Sequence, residues 1–298
     1  MDRLEQMRVF VAVADASGFA PAARRLGMSP PAVTRAVATI EDRVGTRLLE
    51  RTTRTVRLTE AGTRFLADCK RILAEIEDAE ASAAGDHAEP RGTLALTASV
   101  LFGRMHVTPV LLDFLARHPR IFVRTLFVDR IVDLVDEGID VAVRIAHLPD
   151  SALTAVRVGE VRRVVCAAPD YLERRGTPGH PADLERHEAI GFAPTAPEEW
   201  LFAADGSAIA TRPPTRLTVN TADVAIAAAV AGHGLARVLS YMIQPELRAG
   251  RLKLVLTGFE QPPIPIHLVH PAGRRASARV RAFIDFASGR LRRALAPR

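Results

Sequence analysis

Residues 22–62 read AARRLGMSPPAVTRAVATIEDRVGTRLLERTTRTVRLTEAG, and this stretch decides the fold of the first part of the chain. A short helical segment ends at Gly27, because glycine adopts a positive φ at a helix C-terminus without a steric penalty. Ser29 is a good helix N-cap, and Pro30 falls at the first helical position, where proline is best tolerated. A short helix, a glycine turn and a longer capped helix indicate a helix-turn-helix.

Apolar residues at helical spacing predict the helices on either side of this turn. A first helix is expected from residue 4 to the Ser17-Gly18 pair, and a second one over residues 19–26. A third helix is expected over residues 30–44, with a buried stripe formed by Val33, Val37, Ile40 and Val44. The opposite face of the third helix is then left exposed.

That exposed face carries Thr34 and Arg35 near the N-terminal end of the third helix. In a helix-turn-helix this end enters the major groove of DNA. A threonine there contacts a base edge or a thymine methyl group, and an arginine contacts guanine or a phosphate. These two side chains are therefore candidate DNA contacts.

The segment that follows, residues 46–59, is short, polar and rich in β-branched residues, which predicts a two-stranded wing. The wing carries Arg51, Arg54 and Arg57. Cations on such a wing neutralise phosphates or enter the minor groove. A generic solvated hairpin is the alternative interpretation of the same segment.

The composition alone gives weak support for a nucleic-acid partner. The 298 residues contain 40 Lys+Arg against 34 Asp+Glu, for a net charge of +6, and only Lys70 and Lys253 are lysines. Arginine suits phosphate and base contacts because its planar fork donates hydrogen bonds in pairs. A genomic bias toward arginine would supply the same composition, so the position of each arginine matters more than the net charge.

Two cysteines, Cys69 and Cys166, are too few for a disulfide framework or for a zinc site made of cysteine ligands. A reduced, intracellular setting is the simplest inference, and a cytoplasmic location is expected. The longest apolar stretches, such as residues 224–231, are too short to span a bilayer, so no membrane partner is expected. Cys166 falls in a predicted buried strand, which argues against redox sensing.

A long helix is predicted after the wing, over residues 59–85. Its apolar residues recur by alternating steps of four and three, as in a coiled-coil seam, and they include Phe65, Cys69, Ile72, Ile76 and Ala79. We expect this helix to form a dimer, because two DNA-reading domains need two-fold symmetry to face two half-sites. Packing of the helix on its own domain is the alternative. Residues 86–92 contain proline and glycine without periodicity and are expected to form a hinge.

From residue 93 onward, predicted strands alternate with predicted helices, which favours open α/β sheets. One of these helices is expected over residues 131–137 and would be stopped by Gly138. Trp200 and Phe202 are expected to pack in the core rather than to line a pocket. No strand or helix is assigned between residues 176 and 215.

The run 22–62 resembles the N-terminal domain of LysR-type transcriptional regulators over its whole length and without a gap. Three later segments resemble the effector-binding domain of the same family: VDLVDEGIDVAVRI (132–145), LPDSAL (148–153) and VNTADVAIAAAVAGHGLARV (219–238). That domain is similar to periplasmic solute-binding proteins, which have two α/β lobes joined by crossover strands. The resemblance therefore implies a multidomain chain, in which an all-α winged helix-turn-helix and a linker helix precede an α/β two-lobed periplasmic-binding-protein-like domain.

Matched onto this chain, the resemblance implies a DNA-binding domain over 1–58, a linker and dimerisation helix over 59–85 and a hinge over 86–92. The effector-binding domain covers 93–298, with lobe one over 93–160 and 266–298 and lobe two over 161–265. Together with the residues that cap the third helix, the implied DNA-binding residues are Ser29, Pro30, Pro31, Thr34, Arg35, Arg51 and Arg54. The implied partners are double-stranded operator or promoter DNA, a small-molecule effector, further copies of the chain in a homodimer or homotetramer, and RNA polymerase.

In open α/β sheets a ligand lies beyond the carboxyl ends of the strands. Two predicted strands end in this way before a helix, and the residues at these points are Ser99, Val100, Asn220 and Thr221. The free N–H groups and dipoles of two helix N-termini favour a carboxylate or another small anion. Asp129 and Arg144 are further effector-binding candidates. Simple helix capping, or pairing of Asp129 and Arg144 with other residues, is the alternative.

Enzymatic chemistry receives little support from the sequence, since no Walker loop, GxGxxG, HExxH or GxSxG motif is present. The histidines do not fall at metal-ligand spacing, so no metal, cofactor or catalytic residue is expected. The leading hypothesis is a sequence-specific DNA-binding transcriptional regulator controlled by a small, anionic effector. The alternative is a cytoplasmic α/β solute-binding or enzyme-like protein whose N-terminal domain serves only for oligomerisation.

Overall fold

The computed structural model describes residues 1–51, 56–83, 89–148, 153–192, 199–204, 206–271 and 276–296, with the side chains of all of these except residues 51, 75, 77–79 and 81–83. The chain divides into two compact units. The first consists of Met1–Pro90 with Asp133–Ile139, and the second of Arg91–Val132 with Asp140–Arg298. None of the described helices is long and apolar enough to cross a membrane.

The N-terminal unit contains helices and a two-stranded hairpin. Its elements are α1 (Arg3–Asp15), α2 (Phe19–Leu26), α3 (Pro30–Val44), β1 (Leu49–Arg51), β2 (Val56–Leu58) and α4 (Glu60–Ala83). The strands β1 and β2 are antiparallel, and Leu49 lies opposite Leu58. The predicted helix-turn-helix is confirmed, and the predicted wing contains this strand pair.

The turn between α2 and α3 forms as its residue types predict. Gly27 has a φ of 64°, in the left-handed region that favours glycine. The Oγ atom of Ser29 accepts a hydrogen bond from the N–H of Ala32 at 3.4 Å, and Pro30 and Pro31 occupy the first two helical positions. The start of α3 is therefore set by local chemistry.

The core of this unit packs α1 against α3. Val9, Phe10 and Val13 of α1 lie in one buried cluster with Val33 and Val37 of α3. Each of these side chains contributes about 1.5–3 kcal/mol when it leaves water. This burial fixes which face of α3 points outward.

Val44 does not belong to the buried stripe, although its spacing predicts that it does. Its side chain is 43% exposed, because it is the last residue of α3 and the chain turns away at the left-handed Gly45. The stripe on α3 therefore ends at Ile40, which is buried.

The second unit contains two five-stranded sheets. Its strands are β3 (Gly92–Ala98), β4 (Ile121–Phe127), β5 (Val141–Ile145), β6 (Leu153–Val161), β7 (Arg163–Ala167), β8 (Ala189–Phe192), β9 (Trp200–Ala204), β10 (Ser207–Thr211), β11 (Thr215–Val219), β12 (Leu235–Leu239), β13 (Lys253–Val255) and β14 (Ile264–Pro271). Its helices are α5 (Val100–Phe102), α6 (Thr108–Arg117), α7 (Pro169–Arg175), α8 (Ala222–Val230), α9 (Gln244–Arg248) and α10 (Ala278–Leu295).

The two sheets have matching topologies. The first has the order β4-β3-β5-β14-β6 and the second has the order β11-β8-β12-β7-β13. In each sheet the first three strands are parallel, the fourth (β14 or β7) is antiparallel to them, and the fifth (β6 or β13) is antiparallel to the fourth. The chain passes between the sheets from β6 to β7 and from β13 to β14, so two crossovers join two α/β lobes, as the family resemblance implies.

The general rule for open sheets predicts a ligand at the carboxyl ends of the parallel strands, so this edge is the candidate ligand cleft of the unit. The short helix α5 follows the end of β3, and a π-helical turn, Gly103–Val107, then joins α5 to α6. Gly103 lies against the ring of Phe127, and a Cβ atom at this position would lie 2.6 Å from that ring. The absence of a side chain thus allows the helix to approach the end of β4.

The segment 131–137 does not form the predicted helix. Asp133 instead accepts hydrogen bonds from the N–H groups of Val135 and Asp136 at 2.8 and 3.0 Å, which is an aspartate turn. Gly138 has a φ of 60° and ends the turn. The aspartate side chain competes with the helical backbone bonds here, so only a single turn forms.

The structure also has strands between residues 176 and 215, where none was predicted. β8 is a central strand of the second sheet, and β9 and β10 form a separate antiparallel hairpin. Trp200 and Phe202 of this hairpin are buried in a core cluster with Leu235 and Val255. The prediction that these two aromatic residues pack in the core is confirmed.

Candidate nucleic-acid interface and ligand cleft

The N-terminal half of α3 presents a solvent-facing surface built from predicted DNA-binding residues. Ser29, Pro30, Pro31 and Arg35 are exposed, and Thr34 is half-buried. In the part of the chain that the structure describes, no carboxylate lies within ion-pair distance of Arg35. The arginine is therefore available to a phosphate or a guanine edge.

The position of the wing relative to α3 depends on one carboxylate. The Oε1 atom of Glu41 accepts hydrogen bonds from the N–H groups of Leu48 and Leu49, at 2.8 and 3.0 Å. Both leucine side chains are buried, so Glu41 satisfies backbone donors that water reaches poorly. This role of Glu41 was not predicted, although an acidic residue near the end of α3 is visible in the sequence.

The arginines of the wing are only partly described. Arg51 is the last residue of β1, Arg57 lies in β2 and is exposed, and the register places Arg57 opposite Glu50. The side chain of Arg51 and the whole of Arg54 lie outside the described residues. Their role as DNA contacts stays a prediction.

The predicted dimer seam on α4 divides into two parts. Cys69 is completely buried in the core of its own unit, and the ring of Phe65 lies 5.5 Å from that of Phe10. An ion pair between Lys70 and Asp15, at 2.6 Å, adds to the packing of α4 on α1. Ile72 and Ile76 are half-buried, and the side chain of Ala79 lies outside the description. Of the predicted seam residues with described side chains, Ile72 and Ile76 are left for contact with a second copy, because Phe65 and Cys69 pack within their own unit.

In the ligand cleft, Ser99 and Val100 lie at the end of β3, as predicted. The Oδ1 atom of Asp129 accepts a hydrogen bond from the N–H of Val100 at 3.0 Å. A carboxylate of the protein itself thus occupies the start of α5. Arg144 points elsewhere, since its Nη2 atom donates to the carbonyl O of Val132 at 3.0 Å.

On the opposite lobe, Asn220 is exposed and Thr221 is the N-cap residue of α8, without a side-chain capping bond. Asp223 in the first turn of α8 forms an ion pair with Arg104, at 3.2 Å. Arg104 belongs to the first lobe and Asp223 to the second, so this pair bridges the cleft. Both helix N-termini that were expected to attract an anion therefore have a carboxylate beside them.

A buried polar cluster next to Ser99 was not predicted. The ring of Tyr241, from the second lobe, lies 5.2 Å from that of Phe102 and 5.4 Å from that of His106. The Oγ of Ser99, the hydroxyl of Tyr241 and the Nε2 of His106 are buried without a hydrogen-bond partner among the described residues. Burial raises the pKa of Tyr241 and lowers the pKa of His106, so both groups are neutral. No local pattern could have found this cluster, because it joins distant parts of the chain.

A cavity of about 640 Å³ lies elsewhere in the cleft unit, and none of the predicted effector-binding residues lines it. Its charged lining residues are Arg163, Glu199 and Arg237. The sequence contains one indication of this cavity, because Arg237 is the single charged residue of the otherwise apolar strand β12.

The two cysteines are packing residues in this structure. Both are fully buried, and burial raises the pKa of each thiol to about 12. Thiols in this state are poor nucleophiles. Across the described residues, no cluster of three or more His, Cys, Asp or Glu side chains could hold a metal ion.

Known proteins match both parts of the chain. The model of the LysR substrate binding domain matches residues 87–292, and the model of the bacterial regulatory helix-turn-helix protein, lysR family, matches residues 4–63.

Individual relatives match over nearly the full length. An HTH-type transcriptional regulator of Xanthomonas campestris pv. campestris is 35% identical over 294 residues, which cover 97% of this chain and 85% of the relative. An HTH-type transcriptional repressor of Pseudomonas aeruginosa is 32% identical, over 96% of this chain and 91% of the relative. The structure of CrgA, a LysR-type transcriptional regulator from Neisseria meningitidis, matches with a TM-score of 0.61 at 28% identity, over 98% of this chain and 99% of that one. The helix-turn-helix, the two-lobed α/β unit and these matches together establish that the chain belongs to the LysR-type family of DNA-binding transcriptional regulators.

Proposed function

We propose that this protein is a sequence-specific transcriptional regulator whose DNA binding is controlled by a small-molecule effector. The observation that carries the proposal is the first half of α3. Its inner face is fixed by the buried Val33 and Val37, its start is set by Ser29, and its outer face offers Thr34 and an exposed Arg35. A rigid helix with exposed polar side chains at its N-terminal end is the arrangement that reads the major groove.

The wing adds contacts that do not depend on base sequence. Arg57 is exposed on β2, and Arg51 and Arg54 are its proposed neighbours at the DNA backbone. Each arginine that neutralises a phosphate releases counterions, so binding should weaken as salt rises. The wing therefore supplies affinity, while α3 supplies specificity.

The effector is proposed to bind between the two lobes and to be a small anion. The two crossovers allow one lobe to move relative to the other. Such a movement would change the distance between Arg104 and Asp223, which lie in different lobes. A ligand that binds one arrangement of the lobes more tightly shifts the population toward it. In a regulator this shift changes the spacing of the DNA-binding domains and the bend of the bound DNA.

We also propose that the protein acts as a homodimer that assembles into a tetramer. Ile72 and Ile76 on α4 are available for one interface. The second interface is proposed at the outer strands β4 and β11, which are the edges of their sheets. Phe122 of β4 is 70% exposed, and Val224, on the neighbouring α8, is 50% exposed. Apolar side chains beside an open strand edge favour association with a second copy.

Four further points follow from the proposed function. The protein is proposed to work in the cytoplasm, where its DNA target lies, and to act without catalysis. RNA polymerase is proposed as a partner at the promoter. The upstream region of its own gene is a natural first target, because the family resemblance suggests autoregulation.

The test is a binding measurement with a duplex that the protein itself selects from a random library. Fluorescence anisotropy at about 150 mM salt should give an affinity for the selected duplex at least about a thousandfold higher than for a shuffled duplex. Equal affinity for both duplexes would contradict the proposal and favour a solute-binding or enzyme-like α/β protein.

A further inference from the structure

Two arginines and a histidine form a row across three adjacent strands of the first sheet. β5, β14 and β6 are neighbours in this sheet. His267 of β14 lies opposite Arg144 of β5 on one side and opposite Arg157 of β6 on the other. Residues that lie directly opposite each other on neighbouring strands project from the same face of a sheet. The two arginine side chains therefore flank the side chain of His267.

This row lies on the face of the sheet that points away from α10. The neighbours of His267 along β14, Ile266 and Leu268, are fully buried. They share a core cluster with Phe283 of α10. Successive side chains of a strand point to opposite faces, so His267 points away from that core. All three members of the row belong to the first lobe, so a ligand held by them would not need the second lobe.

The imidazole of His267 lies in a positive electrostatic environment. Burial lowers the pKa of His267, and the charges of Arg157 and His147 lower it further. The Nδ1 atom of His267 is buried without a hydrogen-bond partner among the described residues. Cations that disfavour a proton on this ring favour an anion beside it.

Arg144 is held in place but keeps donors for a ligand. Its Nη2 atom donates to the carbonyl O of Val132 at 3.0 Å, which ties it to the segment that covers this part of the sheet. Over the residues that the structure describes, no carboxylate forms an ion pair with Arg144. A guanidinium has five N–H donors, so most of them remain for a ligand. A group that is already oriented loses little freedom when it binds.

One acid lies beside the row. The Oε2 atom of Glu160 is 2.7 Å from the Nη2 atom of Arg157, and both side chains are more than half exposed. An ion pair this exposed is weak because water screens it, so an anion can compete for Arg157. Glu160 therefore provides a variant whose effect should have the opposite sign to that of an arginine variant.

The spacing of the row suits a small tetrahedral oxyanion. Neighbouring strands lie about 4.8 Å apart, so the Cα atoms of Arg144 and Arg157 are separated by about 10 Å, with His267 between them. Two arginine side chains can converge from this separation on one group above the imidazole. A phosphate offers at least three acceptor oxygens and up to two negative charges to these donors, whereas a carboxylate offers two oxygens and one charge.

We infer that the Arg144–His267–Arg157 row binds a phosphate group, carried by inorganic phosphate or by a small phosphomonoester, at a site separate from the effector cleft. β6 leads into one crossover and β14 follows the other, so the bound group would link the two strands through which the chain leaves and re-enters the first lobe. The inference goes beyond the proposed function and does not depend on operator binding.

Histidine-selective NMR of the full-length protein reports on this site, because all nine histidines follow residue 86 and lie outside the helix-turn-helix. Inorganic phosphate and glycerol 1-phosphate are titrated separately at an ionic strength of about 0.15 M, with acetate as the planar, singly charged control. The His267 resonance, identified by its absence in His267→Gln, should shift saturably with a Kd below about 5 mM, while that of the exposed His233 stays in place. Acetate should bind at least about tenfold more weakly. The tighter of the two phosphates identifies the source of the group.

Variants with opposite expected effects locate the site. Arg157→Gln should weaken phosphate binding about tenfold, and Glu160→Gln should strengthen it about threefold or more, because it removes a competing charge. Arg293→Gln, on the exposed side of α10, is the matched control and should change the affinity less than about twofold. Arg144→Gln is a second test, and its thermal unfolding midpoint separates lost binding from lost folding.

Several results would overturn the inference: no saturable shift of the His267 resonance, equal binding of acetate and phosphate, or unchanged affinity in both arginine variants. Weaker phosphate binding in Glu160→Gln would overturn it as well. Operator binding by the same proteins is measured separately. A protein that binds phosphate at this row but shows no specific operator binding would contradict the proposed function alone.

Discussion

Arg35 is the residue on which, in the proposed function, the reading of DNA sequence depends most directly. It lies two turns into α3, on the face opposite the buried Val33 and Val37, and its side chain is exposed. A bidentate contact with guanine gives about 1–3 kcal/mol of discrimination against other bases. The loss of a contact to the DNA backbone, by contrast, weakens binding to all sequences alike.

We predict that Arg35→Ala costs about 1–3 kcal/mol of binding free energy on the selected operator and much less on shuffled DNA. Anisotropy titrations on both duplexes measure the ratio. Arg43→Ala is the matched control, because it removes the same charge from the other end of α3. If Arg35→Ala lost the same binding free energy on both duplexes, Arg35 would contact a phosphate and not a base.

His187 gives the stability of the two-lobed unit a pH dependence of known sign. Burial lowers the pKa of His187 below 6.5; Asp183 opposes this shift and Arg175 adds to it. The folded protein holds this imidazole neutral, while the unfolded chain binds a proton below about pH 6.5. The contribution to stability is therefore present above that pH and is lost as the pH falls toward the folded pKa. Burial also lowers the pKa values of His106 and His267, so their contributions have the same sign.

Urea unfolding at about pH 7.5 and about pH 5.5 measures this effect, with a slope of at most about 1.4 kcal/mol per pH unit for each histidine. We expect a lower urea midpoint at the acidic pH for the wild type and a smaller pH difference for His187→Gln. The exposed His233→Gln serves as the control. A midpoint that stays constant or rises in acid would contradict the assignment of a neutral, buried His187.

At the scale of residues, local chemistry could be predicted and contacts between distant residues could not. Gly27, Ser29 and Pro30 act on their immediate neighbours, so their types alone predict the turn. Tyr241 contacts Phe102, which lies more than a hundred residues earlier in the chain, and Asp129 accepts the N–H of Val100 from the end of the neighbouring strand. Such contacts depend on the folded arrangement of the lobes.

Among the structural elements, the wing depends most on a single side chain. Glu41 accepts the N–H groups of Leu48 and Leu49, so it connects the recognition helix to β1. Removing the carboxylate leaves two buried donors without this partner. Each such donor costs about 1–3 kcal/mol.

We predict that Glu41→Ala lowers the free energy of unfolding of the N-terminal unit by about 2–4 kcal/mol and weakens operator binding. Chemical denaturation and anisotropy measure the two effects. Glu41→Gln is the informative companion variant, since it keeps one carbonyl oxygen and should recover part of the stability. Wild-type stability in Glu41→Ala would show that the wing is held by other contacts.

The linker helix α4 is the second element with a testable role. Its first half is occupied by packing on α1, through Phe65 and Cys69, whereas Ile72 and Ile76 lie further along. We predict that the double variant Ile72→Lys, Ile76→Lys moves the protein toward a smaller assembly and weakens operator binding. Sedimentation velocity measures the assembly. Arg64→Lys on the exposed side of the same helix is the control, and an unchanged assembly in the double variant would place the dimer contact elsewhere.

The elements of the second unit were harder to predict than those of the first. Residues 141–145 and 235–239 are apolar runs that are each interrupted by a single arginine, and they form the strands β5 and β12. β11 has mostly exposed side chains and β6 has a mixture of exposed, half-buried and buried ones, so neither strand shows a continuous apolar run, and no strand was predicted at β6. At 131–137 the apolar spacing suggested a helix, but the side chain of Asp133 bonds to the backbone instead.

The whole molecule combines a helix-turn-helix unit, which we propose reads DNA, with a two-lobed unit, which we propose changes shape when the effector binds. The Arg104–Asp223 pair and the Phe102–Tyr241 contact join the lobes, and both lie in the same region as the end of β3. An exposed ion pair is worth only about 0–1 kcal/mol, so a ligand can readily shift this contact. Such a shift in the lobes can change DNA binding only if two DNA-binding units are held in one assembly.

We propose that a symmetric assembly reads two half-sites with α3, and hydroxyl-radical footprinting on the selected operator is the decisive test. We expect two protected half-sites related by a two-fold axis, on one face of the duplex and separated by about ten base pairs or a multiple of ten. Protection should weaken at both half-sites together in Arg35→Ala. A single asymmetric footprint, or uniform protection along the duplex, would contradict the account.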